Sequence, residues 1–132
     1  MNNSYFVYAK KLDDIGNKII SISKKFIAKQ PDTKSIKGLK LTYAICLESI
    51  DGYRICKDAL ANVIPPAKVK KEHEDLINTM QLFIDGTEDM FRSIDLENST
   101  VNEELMEQGY SRQKFAETII AQITNIVSAK LT

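Results

Sequence analysis

With 132 residues, the chain is long enough for one domain that buries roughly two thirds of its unfolded surface, so it needs no disulfide staple. Its 18 basic and 18 acidic side chains cancel, which removes any overall pull toward nucleic acid or membrane, and no apolar run approaches the ~20 residues that span a bilayer. Cys46 and Cys56 fall ~15 Å apart on one predicted helix, which excludes a bridge between them, a Cys-x-x-Cys redox motif and a zinc knuckle.

The charges are segregated along the chain. Residues 1 to 71 hold 14 basic against 6 acidic side chains, residues 72 to 108 hold 1 against 11, and residues 109 to 132 hold 3 against 1. Such a pattern draws neighbouring elements of one bundle together, and the sharper alternative is a basic face for an anionic partner. The opening MNNSYFVYAKK has only a short apolar patch before its lysines, so the chain as written is expected to be cytoplasmic, or extracytoplasmic if a leader has been removed.

The first predicted helix, about 4–29, places Tyr5, Tyr8, Leu12, Ile15, Ile19, Ile22 and Phe26 in alternating steps of three and four, with Ile20 and Ile27 widening the stripe. QPDTKS then supplies a proline and two candidate caps, Asp32 and Ser35. The second helix, about 35–62, repeats the period through Leu39, Tyr43, Cys46, Ile50, Tyr53 and Leu60, interrupted by Lys57; Cys46 reads as a small core hydrophobe. VIPP ends it and opens the third, about 66–95, because proline is tolerated in a first turn. There Val69, His73, Leu76, Met80, Phe83, Thr87, Met90 and Ile94 form the stripe.

LENST is polar and capping, and the fourth helix, about 99–131, begins at Ser99 or Thr100, ahead of Glu103 and Glu104. It sets Phe115, Ala116, Ile119, Ile120, Ile123, Ile126, Val127 and Leu131 on one side, with Gly109 as a place to bend. Short joins between long helices predict an all-α, antiparallel up-and-down four-helix bundle of one domain, residues 1–132. Gly16, Gly52 and Gly86 each cost ~1 kcal/mol inside a helix, so each marks close helix approach, a bend, or a ligand passing near the backbone.

His73 is the only histidine, and its stripe carries the ring toward the interior. Di-iron bundles need Glu-x-x-His pairs and further glutamates, which are absent; a phosphotransfer histidine is exposed and followed closely by Lys-Gly, whereas EDLINT follows here. With no Gly-rich phosphate loop and no nucleophile–base pair evident, the chain is expected to be no enzyme and to use no metal or cofactor.

Two surfaces and one cavity are the candidate sites. Lys11, Lys18 and Lys25 recur every seven residues beside the first stripe, their stems covering the seam, although the exposed aromatics and arginines of nucleic-acid surfaces are missing. Glu72, Asp75, Glu88 and Asp89 belong to the acidic third helix, read as a solvated face. Tyr43, Tyr53, His73, Met80 and Phe83 could line a ligand cavity. The expected function is contact with a protein partner or with further copies of the chain, not with nucleic acid or as a membrane span; the alternative is a small-ligand carrier or sensor.

A long helix, then VIPP, then AKVKKEHEDLINTMQLFIDGTEDM is similar to small uncharacterised helical-bundle proteins of Gram-positive bacteria, many of them lipoproteins with a Pro-Pro join and a histidine early in the next helix. The resemblance implies a bundle facing the cell envelope and brings no catalytic residue. The sequence as given carries neither the signal nor the lipid-bearing cysteine of that pattern.

Overall fold

A computed structural model describes residues 3–27 and 34–132. Four α-helices run Asn3–Ile27 (α1), Ile36–Ala61 (α2), Lys70–Arg92 (α3) and Glu103–Leu131 (α4). They form the expected all-α, antiparallel bundle. Tyr8 near the start of α1 and His73 near the start of α3 meet beside Leu60 at the end of α2, and Glu72 at the start of α3 pairs with Lys130 at the end of α4. The predicted cap Asp32, helix positions 28 and 29, and the side chains of Phe26 and Ile27 lie outside the described residues.

Local chemistry sets the helix ends. The Ser35 hydroxyl accepts the Gly38 N–H at 3.0 Å, filling one of the donors that a helix start leaves unpaired. Pro65 and Pro66 stop α2, and a single 3-10 turn, Ala67–Val69, leads into α3. Between α3 and α4 the chain departs from the expected boundaries of 95 and 99. Ser93 ends α3 by donating to the Met90 carbonyl at 2.6 Å, and Ile94–Asp95 (β1) pairs antiparallel with Thr100–Val101 (β2), Ile94 opposite Val101.

Ser99 turns this hairpin at φ 52, and Asn102, rather than Ser99 or Thr100, caps α4 by accepting the Leu105 N–H at 3.0 Å. Strands of two residues are too short to leave an alternating pattern in the sequence. The helix therefore begins at Glu103, with Glu103 and Glu104 in its first turn against the helix dipole.

Two apolar clusters fill the interior. One gathers Tyr8, Ile15 and Ile19 of α1 with Tyr53, Leu60, Leu76, Met80, Phe83, Ala116 and Val127; the other joins Leu39, Cys46, Met90, Ile94 and Met106 near the hairpin. Between them, in sequence on each helix, stand buried polar groups: Ser49 on α2, Thr87 on α3 and Gln113 on α4. Gln113 donates to the Thr87 hydroxyl at 2.7 Å, which in turn donates to the Phe83 carbonyl.

Two helix crossings depend on glycine. A Cβ on Gly86 would lie 2.7 Å from the Gly109 carbonyl oxygen, so α3 and α4 touch backbone to backbone, and α4 passes Gly109 as one uninterrupted helix. A Cβ on Gly52 would meet Ile22 Cδ1 at 2.7 Å where α1 crosses α2. Close approach therefore accounts for these positions, and no bend is needed at Gly109.

Candidate functional site

α1 packs along α2, but α1 and α4 do not close against each other. Between them lies an apolar groove of about 650 Å³. One wall is the α1 face carrying Leu12, Gly16, Asn17 and Ile20, the other the α4 face carrying Ile120, Ala121, Thr124 and Asn125. The floor is core: Leu76, Met80 and Phe83 of α3 with Leu60 of α2. Asp13 stands on the α1 wall toward its N-terminal end, while Lys24 and Glu117 flank the other end. From residue 12 to residue 24 the α1 wall runs about 18 Å.

Sequence periodicity missed this groove because it reads apolar residues as buried. Ile20 was expected to widen the buried stripe, yet it is 54% exposed on the groove wall. Phe115 and Ile126 were expected on the buried side of α4 and are 62% and 47% exposed. An amphipathic stripe records which faces are apolar, not how many of them the chain itself covers. Gly16 carried the same reading as Gly52 and Gly86 in the sequence, and the structure sets it apart: a Cβ there would have nothing within 4 Å.

Of the expected cavity residues, Met80 and Phe83 line the groove and the others lie elsewhere. Tyr43 stacks on Phe91 with ring centroids 4.6 Å apart, beside the second core cluster. Tyr53 packs on Phe83 and shares a 3.0 Å hydrogen bond with Ser23. A crevice of about 10 Å³, room for one water, is lined by these three residues and by Gln113.

His73 is 3% exposed and both ring nitrogens are engaged. Nε2 lies 2.8 Å from the Leu60 carbonyl, which can only accept, so Nε2 carries the proton. Nδ1 then accepts from the Tyr8 hydroxyl at 2.8 Å. Burial, with the Glu72 carboxylate nearby, pushes the Tyr8 phenol up to about 12. The ring thus pins the starts of α1 and α3 to the end of α2.

The candidate charged surfaces divide. Lys11 and Lys18 are exposed, and Lys25 reaches Glu48 of α2 at 2.6 Å. Glu72 and Asp89 are buried rather than solvated: Glu72 pairs with Lys130, whose hydrogen bond holds its carboxyl below the usual carboxylate range, and Asp89 pairs with Arg112 at 2.8 Å. Glu88 takes Arg54 of α2 at 2.7 Å and Arg92 at 3.2 Å. Asp75 is half-buried, its carbonyl accepting from Thr79. The charge segregation of the sequence thus joins α3 to both of its neighbours.

Both thiols are buried, Cys46 pushed up to about 12 by burial and Cys56 raised by the same cause against the opposing charge of Lys18. Neither is a thiolate near neutrality, the form that reacts or binds metal. Among the described residues no group of three His, Cys, Asp or Glu side chains could hold a metal ion, and no helix is long and apolar enough to cross a membrane. No protein-family model, curated protein or solved structure matches the chain.

Proposed function

We propose that this is a non-catalytic binding protein that works through protein–protein contact, with the groove between α1 and α4 as its binding surface. The observation that carries this reading is an unclosed helix seam whose α1 wall carries the exposed Ile20 and whose floor is the core side chains Leu76, Met80 and Phe83. A helix lying over that wall and seam would remove apolar surface from water at about 25 cal/mol per Å², set against the freedom lost on association, and an amphipathic helix in an apolar groove is a recurrent recognition mode. The engagement of both His73 nitrogens supports a structural role for the only histidine.

A second reading is a carrier of an apolar small ligand, favoured by the groove volume of about 650 Å³, which falls in the range of small-molecule sites. The test common to both is titration of dilute protein with 1-anilinonaphthalene-8-sulfonate. The dye's fluorescence should rise with the native protein and be lost in Ile20→Glu, with the helical circular dichroism unchanged. Dye binding indifferent to that substitution would contradict a groove-based function.

A further inference from the structure

Resting on the reading of the groove as a binding surface, we propose its occupant: α1 of a second copy of this chain, lying antiparallel to the first α1 across a twofold axis. The inference starts from the residues of the α1 wall. Asp13, Gly16, Asn17, Ile20 and Lys24 follow the steps of a single helical stripe, and all five line the groove. Asp13 and Lys24 are separated by three helical turns, within about 20° of the same direction. Both are exposed and neither forms an ion pair among the described residues.

A twofold interface brings one surface patch against itself, so the patch must be complementary to its own reversed copy. This stripe is. With the helices antiparallel, Asp13 of each copy falls opposite Lys24 of the other, giving one opposite-charge pair at each end. At the Lys24 end, Glu117 already faces Lys114 at 3.6 Å, which leaves Lys24 for the incoming carboxylate.

The same register places Ile20 of the second copy over the hole bounded by Asp13, Gly16, Asn17 and Ile20, as a knob enters a hole in packed helices. Gly16 makes that hole deep. The glycines at 52, 86 and 109 each face an atom of this chain that a Cβ would strike, whereas a Cβ on Gly16 meets nothing within 4 Å. Close approach inside the chain therefore explains Gly52, Gly86 and Gly109, and close approach by a second α1 explains Gly16.

Sedimentation equilibrium on the native chain and four variants tests this. The native chain should be a dimer. Asp13→Lys and Lys24→Asp should each raise the dimer dissociation constant roughly tenfold or more, because one substitution acts at both ends of the interface. The double variant Asp13→Lys/Lys24→Asp restores opposite charges and should return most of the affinity, and added salt should shrink all these differences. Gly16→Leu fills the hole and should weaken the dimer without lowering the melting temperature of the monomer. A native chain that stays monomeric up to about 1 mM, or a dimer indifferent to the single reversals, overturns the proposal. In the monomeric case the dye titration separates the two ideas: dye loss in Ile20→Glu leaves the groove as a surface for another occupant, and dye binding that ignores it removes the groove reading as well.

Discussion

The Gly109 carbonyl oxygen lies 2.7 Å from where a Cβ on Gly86 would stand, and the Gly86 carbonyl crowds a Cβ on Gly109 in return. The obstacle on both sides is backbone, which cannot rotate aside as a side chain can. Gly86→Ala and Gly109→Ala should therefore force α3 and α4 apart and cost about 1–3 kcal/mol each, the usual range for an overpacked interior. Urea midpoints would show it, and midpoints unchanged in both variants would mean that the helices cross farther apart.

Gly16 should behave in the opposite way. Its Cβ would enter open space on the groove wall, so Gly16→Ala removes only the helix penalty of glycine. The dilute monomer should gain up to about 1 kcal/mol, read as a higher urea midpoint. A loss of stability would mean that the position is occupied within the chain.

Tyr8 and His73 share a buried hydrogen bond between residues 65 apart. Tyr8→Phe keeps the ring and orphans Nδ1, and His73→Leu orphans the Tyr8 hydroxyl; each should lower stability by about 1–3 kcal/mol. The Leu60 carbonyl suffers less in His73→Leu, because it still accepts the Val63 N–H at 3.1 Å. Chemical denaturation followed by circular dichroism checks the pair, and a His73→Leu protein that keeps its full stability would contradict the clamp.

Burial should also leave a signature at alkaline pH. Tyr8 and Tyr53 are raised from 10.0 to about 12, and Cys46 from 9.0 to about 12. A raised value means that the folded state holds its proton more tightly. The stabilisation is complete below the unfolded value and is lost as pH climbs through the folded one. Urea midpoints should fall between about pH 9 and pH 12, and less steeply in Tyr8→Phe. At the acid end Glu72 has the opposite sign: Lys130 lowers its value, so that contribution is present above the ordinary carboxylate range and fades as pH drops through the lowered one.

The sequence carried the fold more fully than the site. Helix periods, the Pro-Pro stop and the Ser35 cap were readable because each is set by residues within a turn of one another. The inward placement of Cys46 and His73 followed from the apolar stripes of the second and third helices. The short hairpin between α3 and α4 was not, because strand pairing over two residues leaves no periodic mark and Asn102 competes with Ser99 and Thr100 as a cap. The burial of Glu72 and Asp89 depends on Lys130 and Arg112, 58 and 23 positions away, a pairing no local pattern contains. The groove depends on how far α1 stands from α4, which is fixed by the sum of contacts along α2 and α3. Gly16 did not mark it in advance, because a helix-interior glycine at open space and one at a tight crossing look alike in sequence.

The most direct measurement is methyl NMR of the protein labelled at its methionines, followed as concentration is raised. Met80 lies on the groove floor, whereas Met90 and Met106 belong to the cluster beside the hairpin. The Met80 resonance should move as the groove fills, and it should cease to move in Asp13→Lys, while Met90 and Met106 hold their positions. A Met80 signal that stays fixed while the protein associates would show that the groove is not where this chain makes its contacts.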